Sequence, residues 1–223
     1  LLMSRELILT EYIKDLQLLG RLITPSTCWV GDVPALHEAL DAAVRTMPAV
    51  RERIESLPVC EPFRRYLSIM EYRLRLTLDV TQKAPDVYTD AAAFCTDLEL
   101  LNRCLRERHG DRLADQMMAP VMRKVATFGF HLHSLDIRQH ARVHARAVGE
   151  LATGASHESG SSQVSTQTTE LLETLRSIAL LKREFPADAI ISYVISGSTS
   201  AQDIHSLVWL MELCGISVSG TPG

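Results

Sequence analysis

The sequence predicts a mainly α protein with α/β elements: a layer of amphipathic helices, then part of a parallel (β/α) barrel or doubly wound sheet. In the first half, apolar residues recur every three or four positions, the period of a helix with one buried face. In the second half, two short stretches, Thr127–Arg138 and Ala189–Ser196, change to strand patterns. The second stretch runs into a loop and another helix, the repeating unit of parallel α/β structure. These observations divide the chain into a helical region, 1–126, and a partial α/β barrel region, 127–223, with a flexible loop at 153–169.

Leu9, Tyr12, Ile13, Leu16, Leu19 and Ile23 share one face of a first helix, which Pro25 ends because proline has no amide hydrogen to donate. Leu36, Leu40 and Val44 mark a second helix from Pro34 to Thr46, stopped by Pro48. Pro62 suits the first turn of a third, which buries Phe63, Tyr66, Leu67, Met70, Leu74 and Leu78. After a turn at Lys83-Ala84-Pro85-Asp86, Phe94, Leu98, Leu101 and Leu105 mark a fourth helix, with Gly110 expected to take the left-handed cap. Met118, Val121, Met122 and Val125 mark a fifth.

Phe128, Phe130 and Leu132 alternate with smaller or polar residues and predict a strand, followed by a helix through Val148 and Leu151. Thr153 to Thr169 is rich in Ser, Thr and Gly and offers almost no apolar surface to offset its ordering entropy, so a mobile loop is expected. Leu171, Leu175, Ile178 and Leu181 mark a helix. The β-branched, almost continuously apolar Ala189–Ser196 then reads as a strand covered on both faces. Ile204, Leu207, Val208 and Met211 mark the last helix, capped near Gly215.

The 223 residues are 46% hydrophobic, enough for a substantial core, and the net charge of -4 with scattered basic residues argues against a nucleic-acid partner. No apolar run approaches the ~18 residues that span a bilayer. Five dispersed cysteines without a C-x-x-C pair argue for reduced thiols, a cytoplasmic setting and no structural zinc. Leu1 is not an initiator methionine, so the chain is expected to begin inside a longer protein.

Arg138, at the C-terminal end of the first predicted strand, stands where barrel enzymes place their active sites. Its planar fork suits two phosphate or carboxylate oxygens, although spacing alone favours a salt bridge with a neighbouring carboxylate. His140 and His144, four apart, could share a metal or line a solvated helix face, and the absence of supporting ligands favours the latter. His131 and His133 could serve as bases or as packing residues, packing being the commoner outcome. Ser196-Gly197-Ser198-Thr199-Ser200 could cradle an anion, but Ser200 with Asp203 fits an ordinary N-terminal cap better.

Val125-Ala126-Thr127-Phe128-Gly129-Phe130-His131-Leu132, running into Leu135-Asp136-Ile137-Arg138-Gln139 with His144 beyond, resembles the central signature of phosphoenolpyruvate carboxylases. Glu61-Pro62-Phe63-Arg64, Asp97-Leu98-Glu99-Leu100 with Leu105-Arg106, Ala114-Asp115, and Ser192-Tyr193-Val194-Ile195-Ser196 with Asp203-Ile204 and Cys214-Gly215-Ile216 resemble further family segments in order. The resemblance implies a cytoplasmic homo-oligomer on a barrel with many added helices, joining bicarbonate to phosphoenolpyruvate with Mg or Mn to give oxaloacetate and phosphate. It implies that Arg138, with Gln139 beside it, binds substrate. The family's T-A-H-P-T-E histidine, its metal-binding glutamate and aspartate, and its G-R-G-G loop have no counterpart here. The isolated chain is therefore expected to be inactive and to bind no metal. His140 replaces a commonly acidic residue, Gly197 a methionine, and the 153–169 loop a more helical, charged segment. The end, Ser217–Gly223, reads as a truncation or a foreign tail. A non-catalytic helical scaffold derived from such an enzyme is the competing reading. In-frame flanking DNA encoding T-A-H-P-T-E and G-R-G-G would favour the enzyme.

Overall fold

The computed structural model describes residues 1–79, 81, 86–154 and 164–217. Residues 83–85 of the expected turn, 155–163 of the expected loop and 218–223 of the expected tail lie outside the described residues. The chain divides into two compact units, Leu1–His133 and Ser134–Gly223.

The first unit is helical among its described residues: α1 (Leu2–Leu22), α2 (Thr27–Val30), α3 (Pro34–Thr46), α4 (Val50–Glu55), α5 (Pro62–Leu78), α6 (Ala91–Glu107), α7 (Asp111–Leu113) and α8 (Ala119–Phe128). The apolar faces anticipated from periodicity meet in one core. Leu9, Tyr12 and Leu16 of α1 join Phe63, Leu67, Met70 and Leu74 of α5, and Phe94, Leu98 and Leu101 of α6. Pro34 and Pro62 open α3 and α5, where a missing amide costs no hydrogen bond. Asp90 caps α6 by accepting the Ala93 amide at 2.8 Å.

The end of α6 differs from the expected cap. His109, not Gly110, takes the left-handed conformation, with φ of 61°. The Gly110 amide closes back on the Leu105 carbonyl at 2.8 Å and the His109 amide on Arg106 at 3.1 Å, the paired bonds of a Schellman turn. Glycine is required at 110 for a different reason: a Cβ there would stand 2.8 Å from the same Leu105 oxygen.

The expected strand from Thr127 is corrected too. Helix α8 continues through Phe128, and residues 129–133 form a turn with positive φ at Gly129 and Leu132. The alternation of Phe128, Phe130 and Leu132 arose from this reversal. Phe130 folds back into the helical core, 6.2 Å from the Phe94 ring, and the Tyr12 hydroxyl donates to the Gly129 carbonyl at 2.7 Å. Between α7 and α8, Ala114–Met118 forms a π-helical turn in which the Ala119 amide reaches Ala114. That widening lies beside Pro120, whose ring would crowd a regular turn and which has no amide to give.

The second unit runs β1 (Leu135–His140), α9 (Ala141–Gly154), α10 (Thr166–Glu184), a 3-10 turn (Ala187–Ala189), β2 (Ile190–Ser196) and α11 (Ala201–Leu213). The two strands pair in parallel, with Asp136 opposite Ser192, Ile137 opposite Tyr193, and Arg138 opposite Val194. Ala147, Leu171, Leu175, Ile178, Leu207 and Leu210 from the three helices are buried.

Three expectations change in this unit. Strand β2 is not covered on both faces, for Ile191 and Val194 are exposed. Ile204 is likewise exposed, and α11 buries Ser206, Leu207 and Leu210 instead. The last residues of the expected loop are the ordered start of α10: the Ser165 side chain caps the Thr168 amide, the Ser165 amide donates to Glu150 at 2.9 Å, and Thr168 is buried. Polar composition suggested a loop, but a serine at a helix start satisfies backbone donors that would otherwise be open.

Candidate functional site

Strand β1 alternates strictly. Leu135, Ile137 and Gln139 are half-buried, and Asp136, Arg138 and His140 are exposed. In the parallel register the open sheet face therefore presents Asp136, Arg138 and His140 beside Ser192, Val194 and Ser196. The Arg138 side chain is 75% exposed, and its ion pair with Asp136 is a loose 3.6 Å. An exposed pair of that length contributes little, so most of the guanidinium donors stay free for a ligand. Asp136 is held in turn by the Ser192 hydroxyl.

Gln139 does not join Arg138. It belongs to the opposite, half-buried side of the strand, and its Oε1 accepts the neighbouring His140 amide at 2.8 Å. His140 ends β1, and its Nδ1 accepts the Arg142 amide at 3.2 Å. His144 lies inside α9 and is fully buried, so the two histidines form neither a metal pair nor a solvated helix face. His131 and His133 sit in the turn after α8 and share no strand face. His131 packs so closely over Gly129 that a Cβ there would meet its ring at 2.9 Å.

The loop before α11 is built to receive a carboxylate, and the chain supplies its own. The Thr199 and Ser200 amides donate to Asp203 Oδ2 at 2.9 and 3.0 Å, which pulls the Asp203 carboxyl below its ordinary range. Ser200 and Asp203 complete a capping box. The amides that could have bound a phosphate are satisfied internally.

Two polar clusters were not anticipated. In the helical unit, Asp97 accepts from Tyr66 at 2.8 Å, Tyr88 at 2.6 Å and Arg73 at 2.9 Å. Tyr66 and Arg73 stand seven apart on one face of α5, a spacing that could have flagged them. In the second unit, His144 Nε2 lies 2.9 Å from the Tyr193 hydroxyl.

Among the described residues, the fold thus combines a helical unit with a unit in which two helices join two parallel strands and an arginine lies on the open face, the class of a mainly α protein with a small α/β element. Comparison with known proteins narrows the class. The sequence model described as Phosphoenolpyruvate carboxylase matches residues 1–163 and 156–222, and the chain belongs to that family. It is 27% identical to the phosphoenolpyruvate carboxylase of Thermosynechococcus vestitus and 29% identical to that of Xanthomonas campestris pv. campestris, each across 96% of this chain and 25% of the relative. It is 32% identical to the Burkholderia vietnamiensis enzyme over 65% of this chain and 15% of the relative. The chain therefore spans about a quarter of the length of the first two relatives.

Among the described residues, no three His, Cys, Asp or Glu side chains come together to hold a metal ion. The described residues thus offer no such ligand set for the Mg or Mn that the family resemblance implies. No described helix is long and apolar enough to cross a membrane.

Proposed function

We propose that this chain is a segment of a phosphoenolpyruvate carboxylase, a cytoplasmic homo-oligomeric enzyme that joins bicarbonate to phosphoenolpyruvate, and that its contribution to the reaction is Arg138. Within the parent enzyme β1 and β2 are two strands of the (β/α) barrel. The divalent metal belongs to side chains outside the described residues, and the roles below do not pass through it.

The observation that carries this reading is the state of Arg138 on a chain matched to the family along nearly its whole length. Its guanidinium is presented on an open strand face and restrained by a single loose carboxylate. Transfer of the phosphoryl group moves negative charge among its oxygens. A fixed fork of N–H donors stabilises that charge with two parallel bonds, and the bonds strengthen as charge develops. Asp136 keeps the guanidinium from swinging freely while leaving its remaining donors open. Gln139, engaged with its own backbone, takes no part in this conformation.

The test is Arg138→Ala in the complete enzyme, with oxaloacetate followed by coupled NADH oxidation. Turnover should fall at least about a hundredfold, the scale for losing one such donor, with folding little changed. Arg138→Lys should restore part of the loss, because a point charge lacks the two-pronged geometry. Unchanged turnover in the alanine variant would refute the assignment. The isolated chain should form no oxaloacetate, and measurable turnover would show that it carries a complete site.

A further inference from the structure

The side of the sheet facing the helices carries a polar contact that the Arg138 site does not use. Helix α9 begins at Ala141, immediately after β1 ends, and His144 follows within its first turn. The His144 side chain is fully buried, and its ring centroid is 5.6 Å from that of Tyr193. Tyr193 is the register partner of Ile137, the neighbour of Arg138. The single contact at Nε2 thus ties the start of α9, and through it the end of β1, to the middle of β2.

His144 Nδ1 is buried with no hydrogen-bond partner. A neutral imidazole with its proton on Nε2, shared with the Tyr193 hydroxyl, leaves only a lone pair at Nδ1, at modest cost. Protonation would make both nitrogens donors, leave Nδ1–H without an acceptor and put a charge in a dry site. Burial pushes His144 below the ordinary histidine range; Asp203 of α11 opposes that shift, and His140 at the end of β1 adds to it. Helix α10 supplies no acting charge among the described residues. Burial also pushes Tyr193 up to about 12, so its hydroxyl keeps its proton across the working range.

We propose that neutral His144 and Tyr193 form a positioning latch that holds the end of β1 against β2 and so sets where Arg138 is presented. The consequence for turnover rests on the role proposed for Arg138, whereas the consequence for the sheet does not. Acid that protonates His144 opens the latch.

Residue-resolved amide hydrogen exchange on the full chain, between about pH 5 and 8, reads the sheet directly. In Tyr193→Phe, which removes one oxygen, protection of the β1 amides should fall about fivefold at neutral pH, the size of one lost hydrogen bond. In His144→Gln, which cannot take up a proton, the additional loss of protection seen in the parent chain on acidification should disappear. Should His144→Gln fail to fold, Tyr193→Phe carries the test alone. In the complete enzyme, both variants should raise KM for phosphoenolpyruvate more than they lower kcat, and His144→Gln should lose the acid limb of the KM profile. Unchanged β1 protection in Tyr193→Phe overturns the latch. Lowered protection with an unchanged KM leaves the latch standing and overturns the role given to Arg138.

Discussion

Removing the Asp97 carboxylate should be among the more damaging single changes in the helical unit. It serves three donors: Tyr66, Tyr88 and Arg73, all within 2.6 to 2.9 Å. The Arg73 guanidinium also lies 3.9 Å from the centroid of the Tyr88 ring, so the four side chains form one cluster. Breaking a buried pair by deleting one partner costs ~3–5 kcal/mol, because the other charge stays behind unpaired. The Asp97 and Arg73 side chains retain 16% and 21% exposure, so water can partly replace the lost partner. Asp97→Ala should therefore sit at the lower end, about 3 kcal/mol. Asp97→Asn keeps the shape and one acceptor but turns an amide toward Arg73, for a loss of about 2 kcal/mol. Urea unfolding followed by circular dichroism has a slope of ~1–3 kcal/mol per molar, so the alanine midpoint should drop by about 1 M or more. Burial and then the Asp97 charge push Tyr66 and Tyr88 above the ordinary tyrosine range. The sign follows: their stabilisation is complete below the unfolded value near ~10 and is lost as pH rises beyond it. Ultraviolet titration should show both hydroxyls ionising late, and earlier in Asp97→Ala. Exposed Glu99, two residues away, is the control. If Asp97→Ala shifts the midpoint no more than Glu99→Ala does, the cluster is not the anchor inferred from its geometry.

Two further outcomes follow from local geometry. Gly110→Ala should cost about 1–2 kcal/mol, because its Cβ would collide with the carbonyl that the Gly110 amide must reach; a melting midpoint equal to that of the parent chain would refute the close approach. The Glu150 carboxyl is pulled down to about 2, first by Arg146 and then by the Ser165 amide. Its contribution to tying α9 to α10 is present above the ordinary glutamate value and should be lost only as pH falls through about 2. The Ser165 amide resonance, followed by NMR, should stay constant down to that point, and an inflection in the ordinary glutamate range would contradict it.

Helices with a continuous apolar face were legible in the sequence because burial on one side imposes a period that nothing else in the chain mimics. The bounds of α3 agree with Pro34 to Thr46 as read from periodicity and proline placement. Legibility failed where one residue pattern serves two geometries. Alternating aromatics after Val125 fit a strand and equally a chain reversal that sends Phe130 back into a helical core. The apolar run of β2 suggested cover on both faces, yet among the described residues the sheet has two strands and one open side. Arg138 was found as a strand-borne residue, but Gln139, expected to act with it, faces the other way because side chains alternate along β1. Asp97 and the His144–Tyr193 contact escaped because their partners lie 9 to 49 residues away in sequence, off the local helical spacings, and such pairing is set by packing.

His140 and Gly197, two residues near Arg138, are neighbours. The resemblance sets both apart from the expected family pattern, as an imidazole at 140 and a glycine at 197. The register sets His140 opposite Ser196, one residue before Gly197, and a Cβ at Gly197 would lie 2.6 Å from the His140 ring. Gly197 also has φ of +66°, a conformation that glycine adopts without strain and a methionine would not. The imidazole thus occupies space that a side chain at 197 would claim, and the turn leaving β2 bends in a way that glycine permits. A larger side chain at 197 would displace the His140 ring. Both residues lie at the C-terminal ends of the two strands, where a parallel sheet places its ligands.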